Sequence, residues 1–88
     1  RIGGEEFVIM LCHSDEKNTF DRAEKLRKNI EILKPLAKKI TVSIGVATLG
    51  ITTVKSDIAK ETFDDLFTRA DKALYESKHA GRNCVTQA

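Results

Sequence analysis

Arg1-Ile2-Gly3-Gly4-Glu5-Glu6-Phe7 opens the chain, and Val8-Ile9-Met10-Leu11-Cys12 continues it as an unbroken apolar run. Paired glycines lack Cβ atoms, reach positive φ and let a bulky ligand come against the main chain. The carboxylates beside them suit a hard cation such as Mg²⁺, which is commonly held by one or two protein carboxylates plus the phosphates of its substrate. The stretch therefore reads as a phosphate-and-metal hairpin, a nucleotide site in outline. Gly3 and Gly4 would offer amides to phosphate oxygens or to a base, and a β-carbon at either position would obstruct the ligand. The run 7–12 shows no polar alternation, so a strand buried on both faces, central in its sheet, is expected.

Beyond this run the pattern changes period. Phe20, Ala23, Leu26, Ile30 and Leu33 recur every three or four residues, predicting an amphipathic helix from Thr19 to Leu33 with Asn18 or Thr19 as its cap. Asp21, Arg22, Glu24, Lys25, Arg27, Lys28 and Glu31 would lace its outward face, and Pro35 forces it to finish by Lys34. Ile40, Val42, Ile44 and Val46 then alternate with Thr41, Ser43, Gly45 and Ala47, giving a strand with one core face and one face built small. Gly45 weakens a strand unless something needs the room, and close packing by a helix is the simplest such need.

From Gly50 to Lys60 no period is sustained, and the segment reads as a connecting loop. Thr62-Phe63-Asp64-Asp65 fits a capping box, opening a second helix whose face runs through Phe63, Leu66, Phe67, Ala70, Ala73, Leu74 and Ser77. Gly81 is its natural stop, and Cys84-Val85-Thr86 would be a short last strand. The order of elements predicts an α+β fold, helices on one face of a sheet.

Composition bounds the function. The chain has 88 residues, 41% hydrophobic and 32% charged, with a net charge of +2, the profile of one small folded domain. No basic run is interleaved with aromatics, so nucleic acid is not expected as a partner, and no apolar stretch approaches bilayer-spanning length. Cys12 and Cys84 lack zinc or redox spacing and read as two buried thiols in a reducing compartment. His13 and His79 have no companion at metal-ligand spacing and read as surface residues.

The opening hairpin resembles the signature of the GGDEF family, the diguanylate cyclases, in its variant with Glu at the third motif position. Three more blocks resemble that family in the same order: Thr41-Val42-Ser43-Ile44-Gly45-Val46-Ala47, Arg69-Ala70-Asp71-Lys72-Ala73-Leu74-Tyr75 and Lys78-His79-Ala80-Gly81-Arg82-Asn83. The resemblance implies an antiparallel sheet with helices packed on it, related to nucleotidyl cyclase palms. Arg1 stands inside the motif, so residues 1–88 are expected to be the C-terminal half of a single such domain, inactive on its own.

The resemblance further implies condensation of two GTP molecules into cyclic di-GMP with release of pyrophosphate, Mg²⁺ or Mn²⁺ as cofactor, and a second GGDEF domain as partner in a catalytic homodimer. An upstream sensor domain, a role in bacterial second-messenger signalling and a cytoplasmic location come with it. Glu5 and Glu6 are the candidate catalytic residues, Glu5 as metal ligand and base for the attacking hydroxyl. Adjacent strand residues point to opposite faces, so Glu6 would orient the hairpin or a neighbouring group instead. Gly3, Gly4, Lys78 and Arg82 are the candidate substrate-binding residues, the two cations falling on the triphosphate by the family match. Lys78 and Arg82 could reach one anion if the chain keeps a helix-like course past Gly81; ordinary capping of the helix dipole is the alternative. Asp71 reads as structural, a partner for a cation such as Arg1, and Ser43 stays ambiguous. A module that binds GTP or cyclic di-GMP as a receptor without turnover, and a purely structural domain, are the other functional readings.

Overall fold

Ser43-Ile44-Gly45-Val46-Ala47 decides how the centre of the molecule packs. The computed structural model describes residues 6–11, 14–33, 37–38, 40–49, 51–54, 57–60 and 63–88. Its elements are α1 (Glu16–Leu33), β1 (Ile44–Val46), β2 (Ile51–Val54), β3 (Asp57–Lys60), α2 (Phe63–His79) and β4 (Val85–Gln87), an α+β arrangement. β1 and β4 pair in parallel, with Ile44 opposite Val85, Gly45 opposite Thr86 and Val46 opposite Gln87. The Ile44 N–H donating to Cys84 O and the Ala88 N–H donating to Val46 O extend that ladder at both ends.

α2 lies on the face toward which a Gly45 side chain would point. A Cβ at Gly45 would stand 2.2 Å from both Ala70 O and Leu74 N and 2.8 Å from Ala73 C, all backbone atoms of α2. The small face expected from the sequence is thus a helix-packing face, and Ala70 and Ala73 are its counterpart. Ser77, fully buried, donates its hydroxyl hydrogen to Ile44 O at 2.8 Å and lies 2.6 Å from Thr86 Oγ1, which donates in turn. One side chain therefore fastens α2 to both strands, with its buried oxygen satisfied.

Alternation turns Ile44 and Val46 to the opposite face. α1 contacts β1 and β4 without touching α2, and among the described residues Val46 and Ala73 are the buried apolar ones. The two helices therefore sandwich the ribbon from opposite sides, which corrects the expectation of helices on one face. The expected antiparallel sheet is also not what they pack on. β1 and β4 are joined through α2, and a helical crossover returns the chain in the same direction, giving a parallel pair.

Among the described residues the antiparallel ladder is that of β2 and β3, with Ile51 opposite Lys60 and Val54 opposite Asp57. This hairpin occupies the segment expected to be a connecting loop. Its signal was Ile51-Thr52-Thr53-Val54, a β-branched run that lacks the alternation by which strands were sought. The hairpin packs against no other described element.

Both helix ends follow local chemistry. α1 starts earlier than the periodicity suggested because Asp15 is its cap, accepting the Asn18 N–H at 2.7 Å. It ends at Leu33, before Pro35. α2 begins at Phe63, with Asp64 and Asp65 in its first turn; Thr62 lies outside the described residues. At its end Gly81 has φ 110° and the Arg82 N–H donates to Ser77 O, a Schellman closure.

The run 7–11 departs from expectation. It joins neither described sheet, and Phe7, Ile9 and Met10 are about 70% exposed, at 70%, 68% and 70%. A strand covered on both faces needs partners on both sides, and no described element covers this one; Cys12 lies outside the described residues. Among the described residues no helix is long and apolar enough to cross a membrane.

Gly45→Ala tests the seating of α2. The new methyl meets backbone that cannot rotate away, so a loss of about 1–3 kcal/mol in chemical denaturation of the full chain is expected. An unchanged midpoint would show that α2 does not rest on β1 at this glycine.

Candidate functional site

The last turn of α2 carries Lys78 and His79, and the Lys78 ammonium stands where the helix dipole leaves partial negative charge. Lys78 Nζ lies 3.6 Å from Glu6 Oε2, with the two side chains 30% and 41% exposed. Such an exposed pair adds little to stability, on the order of 0–1 kcal/mol, but it records which surfaces meet. Glu6 is thereby brought to the C-terminal end of α2. An ammonium has three donors, so Lys78 can hold Glu6 and still offer hydrogens to an anion. Gly3, Gly4 and Glu5 lie outside the described residues.

Arg82 does not continue the helix. After Gly81, Arg82 and Asn83 both adopt the left-handed region, at φ 62° and 48°. The helix-like course that would have aligned Lys78 and Arg82 at four-residue spacing is therefore not followed. The Arg82 side chain is exposed and makes no ion pair among the described residues.

Asn83 ties this turn to α1. Its Oδ1 accepts from Arg27 Nη1 at 2.9 Å, and its Nδ2 donates to Glu31 Oε2 at 2.5 Å. Arg27 in turn grips Glu24 in a fork, Nε to Oε1 at 2.8 Å and Nη2 to Oε2 at 3.2 Å, and approaches Glu31 at 4.0 Å. The Glu24 carboxyl is held below its ordinary range first by the Arg27 hydrogen bond, and the Arg27 guanidinium is raised first by the same bond. The sequence reading placed Glu24, Arg27 and Glu31 on the solvent face of α1. The Arg27 side chain is only 13% exposed, whereas Leu26 and Leu33 are exposed at 41% and 72%. Phe20, Ala23 and Ile30 keep the half-buried face expected of them, but the stripe passes through Arg27 in place of Leu26 and Leu33, which hydrophobicity alone does not show. The signal available was an Arg set three residues after one Glu and four before another, facing an Asn that tolerates positive φ.

The remaining candidates sort by contact. Arg69 Nη1 donates to Thr48 O at 3.0 Å, bracing α2 against the segment after β1. Asp71 is exposed, and its expected partner Arg1 lies outside the described residues. His79, exposed as expected, stacks on Tyr75 at 3.9 Å and places Nδ1 2.9 Å from Tyr75 O. His13 lies outside the described residues. Cys84 is a free thiol whose Sγ donates to Ser77 O at 3.4 Å. Among the described residues no three His, Cys, Asp or Glu side chains converge for a metal.

Residues 1–84 match the family model described as diguanylate cyclase, GGDEF domain. Diguanylate cyclase A of Treponema denticola is 41% identical over 88 residues, covering 98% of this chain and 22% of that protein. Probable diguanylate cyclase DgcT of Escherichia coli K12 is 34% identical, covering 97% of this chain and 19% of its own. Diguanylate cyclase DgcM of the same strain is 37% identical, covering 100% and 20%. The chain thus spans about a fifth of the length of these relatives. No solved structure matches it at a significant level.

The Glu24–Arg27 pair has a pH signature. A carboxyl whose folded pKa is depressed contributes stability above its unfolded pKa and loses it as pH falls through the folded value. Arg27, raised, keeps its charge throughout and adds nothing to that acid limb. Wild-type melting temperature should therefore fall on acidification more than that of Glu24→Gln, which starts lower at neutral pH. Parallel pH curves for the two proteins would contradict the pairing.

Proposed function

Because the chain belongs to the GGDEF family of diguanylate cyclase domains, we propose that it forms the C-terminal half of a catalytic domain that condenses two GTP molecules into cyclic di-GMP. Each 3′-hydroxyl attacks the α-phosphate of the other nucleotide, and pyrophosphate leaves. The observation that carries this reading is the meeting of Glu6 with Lys78. It sets Glu6 beside the basic end of α2, which supports a reading in which an anionic triphosphate meets cations there.

In this reading Gly3 and Gly4 admit the nucleotide against bare backbone, and Lys78 and Arg82 hold the triphosphate. Lys78 must carry more than the helix end supplies, because a helix C-terminus repels anions. Glu6 fixes the direction of the Lys78 ammonium. Glu5 would hold Mg²⁺ or Mn²⁺ together with phosphate oxygens and accept the hydroxyl proton. When bound, the metal supplies charge at the phosphate and a more acidic hydroxyl. Two loaded domains must face one another, so a homodimer is required, with an upstream sensor controlling it in the cytoplasm. Within the complete domain, residues 7–12 would be a covered strand of an antiparallel, palm-like sheet.

Glu5→Gln in the intact protein should abolish cyclic di-GMP formation, measured by chromatography, with little change in thermal melting. Near-normal turnover would exclude Glu5 as metal ligand. Lys78→Ala with Arg82→Ala should weaken GTP far more than guanosine, since charge-assisted hydrogen bonds contribute about 1.5–3 kcal/mol each. Equal losses for both ligands would show that these residues only cap the helix.

A further inference from the structure

We propose that Arg27 and Asn83 are positioning residues for Arg82: the brace from Arg27 through Asn83 to Glu31 fixes the left-handed turn from which the Arg82 guanidinium is presented. The inference rests on the reading of Arg82 as a triphosphate ligand and adds α1 to that site.

Consecutive non-glycine residues at positive φ are disfavoured and persist only where their surroundings hold them. Arg82 and Asn83 form such a pair, and three contacts hold it. The Arg82 N–H is fixed to Ser77 O, and Ser77 itself is locked to β1 and β4. Cys84 O, on the far side of the turn, accepts the Ile44 N–H. Between these anchors, the Asn83 side chain uses both ends of its amide, accepting from Arg27 and donating to Glu31. Without that amide the backbone at Arg82 and Asn83 would be held only at its ends, and the direction of the Arg82 side chain would be free to vary.

Charge decides that Arg27 acts through the turn and is not itself an anion ligand. Its guanidinium faces Glu24 at 2.8 Å and Glu31 at 4.0 Å, so two carboxylates more than balance it. Arg82, four positions after Lys78 in sequence and exposed, has no such pair among the described residues. A fork-shaped cation held by two acids is suited to orienting an amide, whereas the exposed one is suited to meeting a phosphate.

The test is a double-mutant cycle in the intact protein, reading affinity for a non-hydrolysable GTP analogue with Mg²⁺, and for guanosine alongside. Arg27→Ala should weaken the analogue about three- to tenfold, a fraction of a full charge-assisted contact, and leave guanosine unchanged. In an Arg82→Ala background the same substitution should produce no further loss. Asn83→Gly, which accepts positive φ but lacks the amide, should reproduce the Arg27→Ala effect and its dependence on Arg82. It also carries the cycle should Arg27→Ala fold poorly. Equal losses with and without Arg82, or full affinity in Asn83→Gly, would overturn the positioning role. If Arg82→Ala alone left analogue affinity intact, the phosphate-ligand reading would fall, and this inference with it.

Discussion

Gly45 allows the backbone of α2 to lie directly against β1, and the placement of α2, the closing turn and β4 follows from that contact. With no side chain between strand and helix, Ser77 can reach Ile44 O and Thr86 together, so β4 is added to β1 by the same helix that precedes it. The close approach also fixes where α2 ends in space. Gly81 turns the chain, Ser77 O receives the Arg82 N–H, and β4 begins in register with β1. A parallel pair only three residues long would be weak alone; it is held because helices cover it on both sides.

Electrostatics at the end of α2 then has a simple division of labour. Arg27 is spent on Glu24, Glu31 and Asn83, within a network that joins α1 to the closing turn. Lys78 leans on Glu6, and Arg82 projects from the turn itself. Cations at this location oppose the helix dipole favourably, and an anion can bind only where they outweigh it. The proposed triphosphate site is thus a property of side chains gathered from three segments rather than of the helix terminus.

Local chemistry made much of this legible. The small face of 43–47 and the stop at Gly81 each follow from a residue type with one good structural use. Long-range pairing was less accessible. Nothing in Cys84-Val85-Thr86 says that it runs parallel to Ile44-Gly45-Val46, because register and direction are set by α2 between them. The inward stripe of α1 is legible at Phe20, Ala23 and Ile30 but is partly polar beyond them: Arg27 packs inward while Leu26 and Leu33 do not. The run 7–11 shows the converse, a pattern that expects cover which no described element provides. For the proposed site, Glu6, Lys78, Arg82 and Asn83 belong to the motif blocks, whereas the link from Asn83 to Arg27 comes from the fold.

The central claim is that the Gly-Gly-Glu-Glu segment and the closing turn of α2 form one phosphate-binding surface. A crystal structure of the intact protein with Mg²⁺ and a non-hydrolysable GTP analogue tests it most directly. The account predicts Lys78 and Arg82 nitrogens at about 2.7–3.2 Å from triphosphate oxygens, with the Arg27–Asn83 contact kept and Glu5 on the metal. A triphosphate bound elsewhere, with both cations still turned to solvent or to Glu6 alone, would contradict it.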